Sequence, residues 1–349
     1  MSGWSVRVKA KAGELGFNLA GITPAAPAPH LDAYLRWLEA GYHDPVAYMG
    51  RPDRVARRRD LNVILPGARS LILVGLDYHT LLPKAVLNDP GRGRISNYAW
   101  GADYHDLMIP RLKSLADWLR AETRRDVACR VYVDTGAVLE RSHAWQSGMG
   151  FIGKNTMLIH PRRGSFFFLG VIITTFEFDA YDAPYPQESG VACGTCVRCL
   201  MACPMGAFPA PRVLDARRCI SALTIEHKGS IPVELRPLMG NWVYGCDVCQ
   251  VVCPFNRFAV ETAESAFRAA ALERAAPPLV DLLALTGHSF RERFAGSPVL
   301  RIGRDRLVRN ACVAAGNGRR REAIPLLERL LRDDSALVQE HAAWALAQM

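Results

Sequence analysis

The sequence has no apolar run approaching the ~20 residues that a helix needs to cross a bilayer. Its longest apolar stretch, FFFLGVIIT at residues 166–174, has the length and β-branched content of a buried strand. The N-terminal segment MSGWSVRVKAKAGELGF also lacks an apolar signal core, a twin arginine and a cleavage site. We therefore expect a cytoplasmic protein with no membrane partner.

Acidic residues are fewer than basic ones: 34 Asp and Glu face 43 Lys and Arg, a formal net charge of +9. The excess is concentrated in RPDRVARRRD at residues 51–60 and in residues 301–325, where seven arginines face only Asp305 and Glu322. One such run is typical of a solvated helix face, but two runs in a basic chain favour a polyanionic partner.

Cysteine, by contrast, is plentiful: the chain has ten, and eight of them lie between residues 193 and 253. In a cytoplasmic chain this density indicates bound metal rather than disulfides. Cys129 and Cys312 stand apart in apolar surroundings, where we expect them to be small buried side chains.

The eight grouped cysteines have the spacing of a two-cluster ferredoxin, CxxCxxCxxxCP followed by CxxCxxxCP. In that pattern the cysteine before proline ligates the other cluster. One [4Fe–4S] cluster is then assigned to Cys193, Cys196, Cys199 and Cys253, and a second to Cys203, Cys219, Cys246 and Cys249. Cys219 completes the second set because it is the remaining cysteine nearby, carried by an insertion. Zinc also binds CxxC pairs, but it leaves the two Cys-Pro steps unexplained.

Patterns along the chain divide it into three regions and predict an α+β multidomain protein. Residues 1–180 alternate helices (31–40, 104–124) with strands (70–76, 127–133), as in an α/β layered domain. Residues 181–260 are rich in Cys, Pro and Gly and form the ferredoxin-like two-cluster region. Residues 261–349 are helical, and two related segments beginning at Arg304 and Asp334 indicate HEAT-like repeats. An ordinary helical extension is the alternative for this tail.

The segment VYVDTGAVLERSHAWQSGMGFIGKNTMLI holds the densest set of chemically capable residues. Asp134 follows a predicted strand, so its carboxylate is expected at the edge of a pocket, where partial burial favours proton donation. An Asx-turn or helix N-cap is the structural alternative for this aspartate. The glycines of GMGFIGKN suit close approach of the backbone to a large ligand, but they match neither a Walker A loop nor a Rossmann fingerprint.

Taken together, these segments closely resemble the epoxyqueuosine reductase family over nearly the whole chain. The resemblance is carried by YVDTGAVLERSHAWQSGMGFIGKNTMLI, by CGTCVRCLMACPMGAF, by LDARRCISALTIEHKGSIPVELRPLMGNWVYGCDVCQVVCPFNRFA, and by the helical tail. It implies that the first domain binds cobalamin against the cluster domain. The implied reaction reduces an epoxide on a tRNA wobble base to the alkene of queuosine, with electrons relayed through the two clusters.

The resemblance also implies roles for single residues. Asp134 is expected to be the proton donor and to lie at the cofactor. Expected cobalamin contacts are Arg57, Asn97, Arg141, Lys154, Asn155 and Ser221. No DxHxxG corrinoid motif occurs, so a histidine ligand to cobalt from that motif is not predicted. The expected partners are queuosine-family tRNA, contacted in part by the helical tail, and an unidentified low-potential electron donor.

Two other functions use some of the same features. A reductive dehalogenase-like corrinoid enzyme shares cobalamin and a two-cluster domain, but the missing export signal and the basic tail count against it. A non-catalytic iron–sulfur electron-transfer protein that binds nucleic acid would account for the cysteines and the arginines without any corrinoid.

Overall fold

A four-stranded antiparallel sheet organises the first half of the chain in the computed structural model, which describes residues 3–186, 188 and 190–349. Met1 and Ser2 of the predicted first domain, and Gln187 and Ser189 of the predicted middle region, lie outside the described residues. The helices and strands of the first half are α1 (Trp4–Glu14), β1 (Leu19–Pro24), α2 (Leu31–Glu39), α3 (Pro52–Arg59), β2 (Ser70–Asp77), α4 (Lys84–Leu87), β3 (Arg94–Ile95), α5 (Tyr104–Thr123), β4 (Cys129–Tyr132), α6 (Glu140–Gln146), β5 (Phe151–Ile152), β6 (Leu158–Ile159) and β7 (Phe167–Thr174).

The order of strands in this sheet is β1-β2-β7-β4. Every residue of β2 is buried, and its partner β7 is buried at all but one position, as expected for apolar strands covered on both faces. Their register pairs Ser70 with Thr174 and Asp77 with Phe167. Helices α1 and α5 pack on one face of the sheet and α6 on the other, so the predicted layered domain has an antiparallel sheet at its centre.

Most predicted elements of this half are confirmed. The predicted helix at residues 104–124 is α5, which continues through Pro110, and the predicted strand at 70–76 is β2. The strand predicted at residues 127–133 is shorter, because β4 pairs with β7 only from Cys129 to Tyr132. The chain then leaves the sheet, and Asp134 has a positive φ of 59°.

The cysteine-rich region contains short elements: α7 (Arg198–Ala202), α8 (Ile220–Ile225), β8 (Trp242–Tyr244) and α9 (Val248–Val251). It is joined to the first half by a small parallel pair, in which Arg94 of β3 aligns with Trp242 of β8. The buried Asp247 carboxylate strengthens this junction by accepting hydrogen bonds from the Ser96 hydroxyl and, at 2.8 Å, from the Asn97 backbone N–H.

The tail is helical, as predicted, with α10 (Leu272–Ala275), α11 (Leu279–Leu283), α12 (Gly287–Arg293), α13 (Gly303–Asn317), α14 (Ile324–Leu330) and α15 (Ala336–Leu346). Helix α13 is its centre: residues 307–316 are all buried, and α11, α14 and α15 surround the core to which it contributes. Small residues on α13 allow α15 to approach closely, since a Cβ on Gly316 would lie 2.7 Å from Trp344. Within the described residues, no helix has both the length and the apolar character needed to cross a membrane.

Most arginines of the basic run in the tail form ion pairs or hydrogen bonds with other residues of the protein. Arg304 makes a bidentate contact with Asp333 at 2.8 and 2.6 Å, and Arg301 pairs with Asp103 at 2.8 Å. Arg306 donates to the carbonyl of Ile225 at 2.7 Å. These arginines therefore bind protein groups rather than forming one solvated helix face, although Arg301 remains exposed together with Arg319 and Arg321.

Arg309 is the deepest of these arginines, with its side chain fully buried in α13. Its guanidinium donates to the carbonyls of His227 and Gly229 at 2.7 Å and of Leu223 at 2.8 Å, all in or just after α8. A buried charge is tolerated when hydrogen bonds replace its hydration. Arg309 therefore attaches the segment that follows Cys219 to the helical tail.

We expect Arg309→Ala to lower the free energy of unfolding by about 3 kcal/mol, because it leaves the buried Leu223 carbonyl and two partly buried carbonyls without a donor and opens a cavity. Urea unfolding followed by circular dichroism measures this change. The matched control is Arg329→Ala on the exposed face of α14, which should change stability by less than about 0.5 kcal/mol. Equal stability of the two variants would contradict a structural role for Arg309.

Candidate functional site

The fold gathers eight cysteines, none in a disulfide, into two adjacent sets. In the first, Cys253 lies within electrostatic range of Cys193 and Cys196, and Cys199 within range of Cys193 and Cys253. This set opens into one cavity, lined by Lys154, Asn155, Ile159, Cys193, Cys196, Cys199, Cys253, Pro254 and Phe255. These are the four cysteines that the spacing assigns to one cluster.

The second set contains the cysteine supplied by the insertion. Cys246 lies within electrostatic range of Cys219 and Cys203, and Cys249 within range of Cys219 and Cys246. Burial raises the pKa of the Cys219, Cys246 and Cys249 thiols. Cys219 precedes the first turn of α8, so the segment held by Arg309 brings it to the CxxC pair.

The two sets lie at different depths. Residues adjoining the first set are exposed, including Gly194, Thr195 and Val197. Desolvation is strongest at Cys246 and Cys249 of the second set, whose thiol pKa values it raises furthest, although Pro204 and Arg218 beside Cys203 and Cys219 are exposed. Cys249 of the second set is also within electrostatic range of Cys199, so the sets adjoin, with the first nearer to solvent and the second nearer to the interior.

Asp134 lies where β4 ends, in a left-handed backbone conformation that costs a non-glycine residue about 1–2 kcal/mol. Its side chain is exposed, and its Oδ2 accepts a hydrogen bond of 2.9 Å from the Tyr104 hydroxyl. The Tyr104 ring stacks on Phe168 with centroids 4.1 Å apart, which fixes the hydroxyl. Burial and the neighbouring carboxylate raise the pKa of Tyr104, so it remains a donor to Asp134.

Groups from three parts of the chain surround this carboxylate. Tyr48 from the 3-10 helix Asp44–Gly50 and Glu226 at the end of α8 are within its electrostatic range, as are Glu140 and Arg141 of α6. Arg141 is exposed, yet desolvation by surrounding protein lowers its pKa. Asp134 and Arg141 are thus exposed side chains flanked by groups of both the first domain and the insertion, and we call the space that they share the cavity beside Asp134.

Glu140 lies at the buried edge of this cavity. Its Oε1 is inaccessible to solvent and has no hydrogen-bond partner among the described residues. Burial, and then the charge of Asp134, raise its pKa to about 8. The raised pKa favours the protonated, uncharged form of the Glu140 carboxyl group at neutral pH, close to Asp134.

The residues expected at the cofactor fall into two groups. Arg57 on α3 is exposed, Arg141 is exposed while its Nη1 donates to the Thr156 carbonyl at 2.7 Å, and Ser221 lies half-buried in the first turn of α8. Asn97 is buried, and its amide is engaged with Thr80, donating to the carbonyl at 2.8 Å and accepting from the N–H at 3.2 Å.

Lys154 and Asn155 face the cysteine-rich region. The Lys154 backbone N–H donates to Cys193 Sγ at 3.4 Å, and its Nζ donates to the Gly194 carbonyl at 2.8 Å. The Asn155 amide donates to the Cys249 carbonyl at 3.0 Å. One loop of the first domain therefore contacts loops of both thiol sets.

Sequence reasoning missed several groups around Asp134, namely Tyr48, Tyr98, Tyr104, Glu140 as a neutral acid, and Glu226. They come from several segments of the chain and share no motif. Tyr98 and Tyr104 offered a weak signal, since both lie within the NYAWGADYHD segment from which Asn97 was selected.

The raised pKa of Glu140 predicts a particular dependence of stability on pH. The folded protein holds this proton more tightly than the unfolded chain, so the free energy of unfolding should fall as pH rises from about 4.5 to about 8. In Glu140→Gln this fall should be shallower, as measured by thermal unfolding across that range. Glu328→Gln, at an exposed position of α14, should keep the wild-type slope. An identical slope in Glu140→Gln would contradict a buried neutral carboxyl.

Family models match three parts of the chain. The model described as epoxyqueuosine reductase QueG, DUF1730, matches residues 58–135, which include α5 and Asp134. The 4Fe-4S double cluster binding domain matches residues 192–256, and a HEAT-like repeat matches residues 302–349. The double-cluster match includes all eight cysteines of the two thiol sets. The HEAT-like match covers the helices from α13 to the end of the tail.

Relatives match over nearly the whole length. An epoxyqueuosine reductase of Pseudomonas aeruginosa is 42% identical over 345 residues, covering 95% of this chain and 91% of its own. A crystal structure of an epoxyqueuosine reductase with an epoxyqueuosine-modified tRNA-Tyr stem loop is 32% identical, with a TM-score of 0.89 and coverage of 98% and 89%. The Bacillus subtilis enzyme, described with its aspartate-bearing catalytic loop swung out of the active site, has 32% identity, a TM-score of 0.88 and the same coverage. The predicted resemblance is thus confirmed, and the chain belongs to the epoxyqueuosine reductase family.

Proposed function

We propose that this protein reduces the epoxide of epoxyqueuosine in tRNA to the alkene of queuosine. The observation that carries the proposal is similarity along nearly the whole chain to epoxyqueuosine reductases, one of them solved with an epoxyqueuosine-modified tRNA stem loop. The reaction consumes two electrons and two protons and releases the epoxide oxygen as water. We further infer that it takes place in the cytoplasm, where the tRNA substrate is found.

Each thiol set is proposed to hold one [4Fe–4S] cluster. Four cysteines per set are the complement that a cubane requires, and the match to a double-cluster domain supports the assignment. Backbone donors near the sulfurs fit thiolate ligands, since the Lys154 N–H points at Cys193 Sγ and the Ala207 N–H at Cys203 Sγ. When bound, the clusters supply one-electron carriers leading from the surface to the interior.

Cobalamin is proposed to occupy the cavity beside Asp134, which makes residues 1–180 the cofactor-binding domain against a cluster domain of residues 181–260. The surroundings suit a large polar cofactor: the Arg141 guanidinium and the Tyr48 side chain are accessible. We assign contacts to Arg57, Arg141 and Ser221, and positioning of the adjoining backbone to Asn97, Lys154 and Asn155. When bound, the cofactor supplies a reducing cobalt centre able to open a strained ring.

Asp134 is proposed to deliver a proton to the epoxide oxygen. The hydrogen bond from Tyr104 holds the carboxyl group in one orientation, and the exposed position leaves it accessible to a substrate entering the cavity. Its Bacillus subtilis relative is described with an aspartate-bearing catalytic loop swung out of the active site, which supports the same role here. The tail, residues 261–349, is proposed to contact the tRNA backbone through Arg319 and Arg321, which are exposed.

We expect Asp134→Asn to lower the rate of epoxide reduction by about 100-fold or more, the range that removal of a general acid produces. The asparagine keeps an oxygen that accepts from Tyr104, so iron content and binding of a modified tRNA stem loop should stay at wild-type levels. Turnover is followed by mass spectrometry of the nucleoside. Asp126→Asn, at an exposed position before β4, is the control. Near-normal turnover by Asp134→Asn would exclude it as the proton donor.

Cys219→Ala tests the ligand that the insertion supplies. The variant should lose about four irons per chain, because a cubane without its fourth thiolate is not retained. Iron quantification and electron paramagnetic resonance measure the loss. Cys129→Ala, on β4 and outside both sets, should retain the wild-type iron content. An unchanged iron content in Cys219→Ala would assign the fourth position of the second set to another residue.

A further inference from the structure

Two short helices beside the first thiol set expose apolar side chains to solvent. Met201 of α7 is 80% exposed and Val251 of α9 is 65% exposed, while Val197 just before α7 is 44% exposed. Helices α7 and α9 pack against each other, so the three side chains lie on neighbouring elements. Val197 lies between Cys196 and Cys199 of the first set, and Met201 and Val251 each lie two residues from a cysteine of either set, so this apolar patch adjoins the thiol sets.

The surroundings of the patch are basic. Arg198 and Arg257 are exposed in the segments that also carry Cys199 and Cys253. Arg212 is exposed as well, and its backbone N–H donates to the Lys154 carbonyl at 2.9 Å, next to the same set. The stretches that build this face, residues 151–165, 190–214 and 248–260, contain no aspartate or glutamate. The face therefore combines an apolar centre with a border of one charge sign.

We propose that Val197, Met201 and Val251, bordered by Arg198 and Arg257, form the docking surface for a small acidic one-electron carrier protein. The proposal rests on the proposed function, because that function requires electrons from outside the chain. Positive charge at the border steers and orients an acidic partner, and exposed apolar residues at the centre provide the short-range contact. The occupant is thus defined by its charge and by its one-electron chemistry.

The position of the patch beside the thiols favours this face. Val197 adjoins the first set, and Met201 and Val251 adjoin both sets. A carrier seated on Met201 and Val251 is therefore within a few residues of the thiols that would receive its electron. A nucleic acid is the less suitable occupant, because its phosphates gain nothing from the apolar centre.

The electron balance fixes how the carrier is used. Each encounter transfers one electron into the enzyme and leaves the carrier oxidised by one electron, for example a flavodoxin hydroquinone becoming its semiquinone. Two encounters supply the two electrons that one epoxide consumes, while the two protons come from the enzyme site and solvent. Successive encounters require rapid exchange, which fits a small and transient interface.

The test uses the reconstituted full-length holoprotein and a purified acidic flavodoxin. Calorimetry under anaerobic conditions should give a Kd that rises about tenfold between low and moderate salt, because the attraction is electrostatic. Arg198→Glu combined with Arg257→Glu should raise the low-salt Kd at least tenfold and slow stopped-flow reduction of the holoprotein by flavodoxin hydroquinone to the same extent. Met201→Glu should also weaken binding, through loss of the apolar contact and through repulsion.

The matched controls make the same kinds of substitution at exposed residues outside the patch. Arg291→Glu combined with Arg329→Glu reverses two exposed tail arginines, and Leu81→Glu alters a residue that is 70% exposed. Both controls should bind flavodoxin like the wild type. Iron content is measured for every variant, so that loss of a cluster is recognised separately from loss of docking.

Several results would overturn the proposal: no binding of flavodoxin to the wild type, a wild-type Kd and salt dependence in the doubly reversed variant, loss of tRNA stem-loop binding in that variant, or dimerisation of the holoprotein that Met201→Glu abolishes. Wild-type turnover with dithionite tests the proposed function independently. Failure with dithionite despite normal flavodoxin binding would count against the proposed reaction, whereas turnover with dithionite and no flavodoxin binding would count against the docking surface alone.

Discussion

The buried guanidinium of Arg309 is the contact on which the arrangement of the site depends. It binds carbonyls of Leu223, His227 and Gly229, in the segment that begins at Cys219 and includes Glu226. A charge without solvent requires all of these acceptors, so the segment has little freedom to move relative to α13. The helical tail therefore positions both the fourth thiol of the inner set and one wall of the cavity at Asp134.

With the insertion held in this way, the outer thiols, the inner thiols and Asp134 follow one another from the surface towards the interior. Cys193 and Cys196 of the outer set adjoin exposed residues, burial raises the pKa of Cys246 and Cys249 of the inner set, and Glu226 of the same insertion reaches the electrostatic range of Asp134. Asp134 itself is held by the Tyr104 hydroxyl and by a backbone conformation that is unfavourable for aspartate. Strain of this kind persists where the surrounding structure determines it, and it is concentrated at functional sites.

Much of the fold could be predicted because it depends on short-range patterns. Apolar continuity predicted β2, helical periodicity predicted α5, and the Cys-Pro steps predicted which cysteines would lie together. The internal partners of the tail arginines could not be predicted for a physical reason: an arginine run has the same appearance whether it faces water or unpaired carbonyls. Two of the carbonyls that they bind, those of Ile225 for Arg306 and of His227 for Arg309, lie 81 and 82 residues earlier in the chain. No local pattern indicates them.

The sequence by itself determined the chemistry that the chain can hold: two sets of four thiols, an aspartate after a strand, and an excess of positive charge. It did so because ligand spacing and side-chain type are local properties. Only the tertiary structure decided which set lies outermost, which tyrosine orients Asp134, why Glu140 remains protonated, and which arginines face solvent. Each of these depends on burial and on partners from distant segments, and burial changes the energy of a charge far more than its sequence neighbours do.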